Sequence, residues 1–378
     1  MKKMTLIATT TFGLEAIARR ELEALGYKIK KVTDGRIYFD GTLEDVANAN
    51  IWLRTADRVL IEIDSFEATT FEQLFDEVYK LPWDEFIPKN ANFIVNGKSI
   101  NSKLFSISDC QRITEKAIIE KLKTKYDVEW FEKSGALYDL EVSLLRDEAS
   151  ITLDTTGRGL HRRGYRRLHG DAPIKETLAA AMILLSYWNS DRVLYDPFCG
   201  TGTILIEAAM IGKNIAPGLE RGFSFNNWTG VDKDILKLKK REAMSKMDYS
   251  KTLKLFGTDI DPEVVKIAKS IVEDLGLEDD ITISNSDFRK FPLEDNYGVV
   301  ITNPPYGERL GQVDVKELEV DLGNKMRPLK TWSNYIITSS EDFEKNFKKK
   351  ADRKRKLYNG RIKVDYYQFF GPKPSSDK

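Results

Sequence analysis

Leu14, Ile17, Ala18, Leu22 and Leu25 recur at the three- and four-residue spacing of an amphipathic helix, and Gly26 follows where such a helix ends. MTLIATT before it and the runs around Asp34-Gly35 after it alternate as strands, the Asp-Gly pair marking a hairpin. A further helix, LEDVANANIWLRTA, and the strand DRVLIEIDSF complete a small α+β unit over residues 1–66. Residues 67–155 repeat the pattern in kind without repeating the sequence. Helix FEQLFDEVYKL, strand NFIVNGKSI and helix SDCQRITEKAIIEKLKTKY lead into two alternating strands, ALYDLEVSLLR and EASITLDTTG, that read as an antiparallel pair.

From residue 172 to 378 the grammar changes. Strands RVLYDP, LKLFGTDI, ITISNSDF, YGVVITN and SNYIITSS alternate with helical segments and are almost continuously apolar, as in a mostly parallel sheet covered on both faces. KLYNGRIKVDYYQFF carries Asn359-Gly360 between two strand-like runs, which predicts an antiparallel C-terminal hairpin at the sheet's edge. The class is therefore α/β, a doubly wound sheet preceded by two small α+β domains, with ligands expected beyond the carboxyl ends of the parallel strands.

Composition sharpens this in a few places. With 378 residues, 41% of them hydrophobic, the chain can bury more than one core, and no apolar run approaches the roughly 20 residues of a membrane span. A cytoplasmic protein without a membrane partner is expected, and nothing implies an obligate protein partner. Two cysteines and two histidines exclude a disulfide framework and make a zinc site implausible, so no metal is expected. Lys+Arg and Asp+Glu balance at 59 each, so any polyanion must be met by local asymmetry. The joint at 156–171 supplies it: Arg162, Arg163, Arg166 and Arg167 lie in GRGLHRRGYRRLHG, without an acid before Asp171, and are expected to contact RNA phosphates. A second basic run, KNFKKKADRKRK, reads equally as a solvated face.

The strand ends carry the chemistry. DPFCGTGT opens a helix with Gly200 and Gly202 allowing close backbone approach to a ligand, while the helix start favours an anion. It lacks the Gly-Lys-Ser/Thr ending of a phosphate loop and the third glycine of a dinucleotide fingerprint, so a carboxylate-bearing ligand fits better. In FGTDIDPEVV, Asp261 precedes Pro262 and reads as a helix N-cap, leaving Asp259 for ribose hydroxyls. Asp287 and Phe288 suit an exocyclic amine and a flat ring. A carboxylate-binding loop, a ribose-binding acid and an adenine-binding acid together describe S-adenosylmethionine. In Asn303-Pro304-Pro305-Tyr306 the Asn303 side-chain oxygen and the Pro304 carbonyl can accept both N–H bonds of a conjugated amine, and Tyr306 can stack on its ring.

DPFCGTGT, TDID, SDF and NPPYGERLG resemble the motifs of class I S-adenosylmethionine-dependent methyltransferases. With GLEAIARRELEALG and the linker LHRRGYRRLHGDAPIKETLAAA, nearly the whole chain is similar to the bacterial THUMP-domain RNA guanine-N2 methyltransferases of the ribosomal RNA large-subunit methyltransferase L family. The resemblance implies a ferredoxin-like unit, a THUMP RNA-binding domain and a Rossmann-like catalytic domain. It implies cofactor contacts from Asp196, Phe198, Gly200, Gly202, Asp259, Asp287 and Phe288, with substrate-amine contacts from Asn303, Pro304 and Tyr306. Large-subunit ribosomal RNA is the expected substrate, with transfer RNA or a protein glutamine amide as alternatives. Some relatives carry a second fused methyltransferase domain, so a single modification is expected here. The long connection NIAPGLERGFSFNNW places Arg221, Phe223, Phe225 and Trp228 either around an extruded guanine or in a local core.

Overall fold

The computed structural model describes residues 3–165, 174–305 and 315–374. Arg166, Arg167 and Tyr306 lie outside the described residues.

The N-terminal half runs β1 (Met4–Thr10), α1 (Glu15–Ala24), β2 (Ile29–Thr33), β3 (Arg36–Gly41), α2 (Leu43–Trp52), β4 (Ala56–Glu67), α3 (Phe71–Lys80), β5 (Asn92–Ile100), α4 (Ile107–Tyr126), β6 (Leu137–Leu145) and β7 (Glu148–Asp154). The two α+β units share one seven-stranded sheet of order β2-β3-β1-β4-β7-β6-β5. β4 is the reason. Its 12 residues pair antiparallel with β1 from Ala56 to Ile61 and with β7 from Leu60 to Glu67. One long strand thereby closes an edge that each unit would otherwise expose. The Asp34-Gly35 turn forms as read, with Gly35 at φ +71°.

The C-terminal half contains α5 (Glu176–Leu184), β8 (Leu194–Asp196), α6 (Thr203–Gly212), α7 (Asp234–Met244), β9 (Leu255–Asp259), α8 (Pro262–Asp274), β10 (Ile281–Asn285), β11 (Val299–Thr302), α9 (Val315–Met326), β12 (Ser333–Thr338), α10 (Phe343–Phe347), β13 (Arg353–Asn359) and β14 (Ile362–Phe369). Its sheet has the order β10-β9-β8-β11-β12-β14-β13, parallel except for β14, which is antiparallel to both neighbours. Strand order reverses between β8 and β11, and the gap that opens there is where an α/β sheet binds its ligand. β11 is short and wholly buried, VVIT, which explains its unbroken apolar run.

The halves are riveted together by the long connection. Phe223, Phe225 and Trp228 are buried in the N-terminal core, and Trp228 stacks on Tyr138 at 5.2 Å between ring centroids. The Trp228 indole N–H donates to the Leu137 carbonyl at 3.2 Å. Gly218 lies so close to Ile51 that a Cβ would sit 2.6 Å from its Cα. Framing of an extruded base by Phe223, Phe225 and Trp228 is thus corrected: burial leaves these rings no free face, and Arg221 instead donates to the carbonyls of Gly159 and Arg162.

Candidate active site

The carboxyl ends of β8, β9 and β11, with the turn after β10, surround a cavity of about 620 Å³. Of the residues read from the sequence, Asp196, Phe198, Gly200, Asp259, Asp287, Phe288 and Asn303 line it. Gly202 sits one step behind as the N-cap of α6 at φ +80°, and Pro305 rather than Pro304 reaches the wall.

The loop after β8 is built for close approach. Gly200, at φ +52°, has open space where a Cβ would be. Its N–H donates to Asp259 Oδ2 at 3.0 Å, and Asp259 Oδ1 accepts from the Asp261 N–H at 3.0 Å. Asp259 therefore ties two strand tips together while bordering the cavity. Asp261 is the N-cap of α8, accepting from the N–H groups of Glu263 and Val264, with Pro262 at the first helical position. Cys199 fills space vacated by Gly257, whose Cβ would lie 2.9 Å from the Cys199 sulfur, and burial pushes the thiol's pKa well up. It is packing, not a nucleophile.

Asp196 is almost wholly buried. Its Oδ1 accepts from the Thr302 hydroxyl at 2.6 Å and from the Phe198 N–H at 3.2 Å. Burial raises its pKa to about 7 against those two hydrogen bonds. Asp287 accepts from the Arg289 N–H and pairs with its guanidinium at 2.9 Å, and Arg289 also bonds Asp321 at 2.7 Å. Phe198 and Phe288 form an apolar corner, centroids 4.9 Å apart.

At the end of β11 the Asn303 Oδ1 is buried without a hydrogen-bond partner among the described residues. A buried acceptor of this kind is costly unless a ligand completes it. Thr201 repeats the situation: it lines the same cavity, is 7% exposed, and its hydroxyl has no partner among the described residues. Sequence reading passed over Thr201, although it stands between the two glycines. It also passed over Ile260, 70% exposed on the cavity wall, whose signal was a lone aliphatic residue between two acids.

The arginine-rich joint divides. Arg162 is exposed, as a phosphate contact requires. Arg163 is not: its side chain is 2% exposed and its Nε bonds Glu207 of α6 at 3.1 Å. A guanidinium spent on a buried carboxylate and on the carbonyls of Leu160 and Arg54 cannot reach RNA, so its expected role is corrected to holding the joint closed. Burial and the cations Lys175, Arg162, Arg163 and Arg221 push His161 down to about 4, so it adds no charge to this surface.

Three family descriptions match successive parts of the chain: an RlmL ferredoxin-like domain over 5–60, a THUMP domain over 68–154 and an RMKL-like methyltransferase domain over 163–368. YpsC of Bacillus subtilis (strain 168), described as a candidate RNA methyltransferase, is 48% identical across 98% of this chain and 97% of its own. The ribosomal RNA large subunit methyltransferase K/L of Shewanella pealeana (strain ATCC 700345 / ANG-SQ1) is 32% identical over 96% of this chain, which spans only 52% of that longer protein. Among solved structures, SMU.472, described as a candidate methyltransferase and complexed with SAH, superposes with a TM-score of 0.92 at 44% identity, covering 99% of this chain and all of that one. A Listeria monocytogenes str. 4b F2365 structure, described as an N6-adenine-specific DNA methylase from its sequence, gives 0.93 at 47% identity, covering 98% and 97%. Among the described residues no helix is long and apolar enough to cross a membrane.

Proposed function

The chain belongs to the RMKL-like methyltransferase family, and from that premise we propose that it transfers a methyl group from S-adenosylmethionine to the exocyclic N2 of a guanine in large-subunit ribosomal RNA. The observation that carries the reading is the unpartnered, buried Asn303 oxygen opening on the same cavity as the Gly200 loop and the acids Asp259 and Asp287.

The residues present fit the cofactor. The open face of Gly200 and the Thr201 hydroxyl suit its carboxylate end, Asp259 its ribose hydroxyls, and Asp287 with Phe288 and Ile260 its adenine. When bound, it supplies a methyl group on a cationic sulfur, with a neutral thioether as leaving group. The chain's own task is positioning. Asn303 Oδ1 accepts one N–H of the guanine amine and the Pro304 carbonyl the other, which turns the nitrogen lone pair out of conjugation with the ring. Pro304 and Pro305 fix the two acceptors, since neither has backbone freedom about φ. Little proton transfer is required of the protein, because the amine's extra proton is lost after methylation.

The substrate class rests on the THUMP domain and on the K/L relatives, of whose length this chain spans about half. Incubation of the protein with isotope-labelled S-adenosylmethionine and, separately, ribosomal RNA, transfer RNA, duplex DNA and protein from cells lacking the enzyme tests it. Labelled N2-methylguanosine in large-subunit RNA is the expected product. Label in transfer RNA alone would move the substrate, and label in adenine or in glutamine would overturn the assignment of the amine.

A further inference from the structure

A second cavity, of about 240 Å³, lies at the opposite end of the C-terminal sheet from the active site, between the α9–β12 and α10–β13 connections. β12, about 20 Å long at 3.3 Å per residue, separates the two ends. Four cations line it, Arg327 and Lys330 from one connection and Lys348 and Lys349 from the other, and no lining residue is acidic. Among the described residues none of the four has an ion-pair partner, although Lys345 and Lys354 nearby each have one. Trp332 gives the cavity an aromatic wall.

Cations near helix ends are ordinary, since the carbonyl end of a helix attracts them. That accounts for Arg327, which bonds the Gly323 carbonyl and Asn324 Oδ1 just behind it. It does not account for Asn334. This residue lines the same cavity, is 6% exposed, and its Oδ1 has no hydrogen-bond partner among the described residues. A buried acceptor beside several cations that lack ion pairs, one of them Lys349 lying 5.6 Å over the Phe369 ring, asks for a ligand with a negative group and a hydrogen-bond donor close together. A ribonucleotide has both, its phosphate and its 2′-hydroxyl, whereas a deoxyribonucleotide lacks the donor.

We propose that this cavity is an exosite for one nucleotide of the substrate RNA, the phosphate held by Lys330, Lys348 and Lys349 and the 2′-hydroxyl donating to Asn334. The exosite rests on the RNA reading above and extends it to a contact remote from the methylated base. The chain leaving the cavity continues into exposed Lys350 and Arg353, with the exposed Asp352 between them accepting from the Phe370 N–H at 2.7 Å.

Fluorescence anisotropy with a labelled single-stranded RNA and the DNA of identical sequence, over a range of salt, tests the proposal on the full chain. The triple variant Lys330→Glu, Lys348→Glu, Lys349→Glu is expected to flatten the slope of log affinity against log salt by about 0.7, the share of the one single-strand phosphate that the three lysines hold. Asn334→Leu is expected to shrink the preference for RNA over DNA by about 2- to 10-fold, the worth of one hydrogen bond. Both should bind S-adenosylmethionine as wild type does in calorimetry, which shows the fold intact; the surface triple variant still decides the matter if Asn334→Leu does not fold. Wild-type RNA binding with an unchanged slope in the triple variant, or a retained RNA preference in a folded Asn334→Leu protein, overturns the exosite alone. A wild type that binds no RNA overturns the substrate reading and the exosite together.

Discussion

Replacing Arg163 with Met keeps the length of the side chain and deletes its charge at a place where neither partner meets water. The Arg163 and Glu207 side chains are 2% and 0% exposed, joined by Nε to Oε1 at 3.1 Å and Nη2 to Oε2 at 3.3 Å. After the change Glu207 keeps, among the described residues, the Tyr165 hydroxyl, 3.3 Å away, and the attraction of the buried Arg54 guanidinium, and the carbonyl of Leu160 loses a donor. Breaking one side of a buried pair costs about 3–5 kcal/mol, because the remaining charge stays buried without its partner. At about 2–4 °C per kcal/mol for a unit of 150–250 residues, Tm should fall by about 6–20 °C. Removing both charges in Arg163→Met, Glu207→Met should recover much of the loss. Thermal unfolding by circular dichroism measures this, with the salt dependence of RNA binding beside it. An unchanged Tm together with a reduced salt slope would refute the burial argument and return Arg163 to the RNA surface. Arg162→Met is the control: being exposed, it should leave Tm alone and weaken RNA binding.

Three other outcomes are expected. Asn303→Ala should bind S-adenosylmethionine normally in calorimetry and lose nearly all turnover; a normal rate would remove its proposed role. Asp259→Ala should weaken cofactor binding by about 1–3 kcal/mol, the usual worth of charged hydrogen bonds, and an unchanged affinity would confine that carboxylate to tying the Gly200 loop to the start of α8. Asp196 holds its proton up to about pH 7 in the folded protein against an ordinary value of 3.8, so between those limits the unfolded chain is ionised and the folded one is not. Stability linked to this group is thus full below about pH 4 and lost as pH rises towards 7. Asp196→Asn should therefore gain in Tm over wild type more at pH 8 than at pH 5, and parallel Tm curves would contradict it.

The sites that could be read from the sequence were those in which a short segment does all the work. Gly200, Asp259 and Asp261 lie at or just beyond strand ends, where a glycine or an acid has few other reasons to be, and the bonds of Asp261 to Glu263 and Val264 run between chain neighbours, though the Gly200–Asp259 bond spans 59 residues. Arg162 and Arg163 show where such reading stops. They are adjacent and chemically identical, and only the position of Glu207, 44 residues on, makes one a surface cation and the other a buried one. Phe223, Phe225 and Trp228 were ambiguous for the same reason, because what covers them comes from β6 and its neighbours. The sharing of one sheet by two α+β units depended on pairing between β4 and β7, from Glu67 with Glu148 to Leu60 with Asp154, which no local pattern encodes. Asn334 gave no sign at all, as an amide within an apolar strand looks the same whether its oxygen is satisfied or waiting.

The connection that carries Phe223, Phe225 and Trp228 from the catalytic half into the core of the other has a practical corollary. A fragment cut at the start of the catalytic domain would emerge with three large rings bare, and the complementary fragment would be left with a hole beneath its sheet. Neither piece can be grafted onto a foreign neighbour without rebuilding that seam.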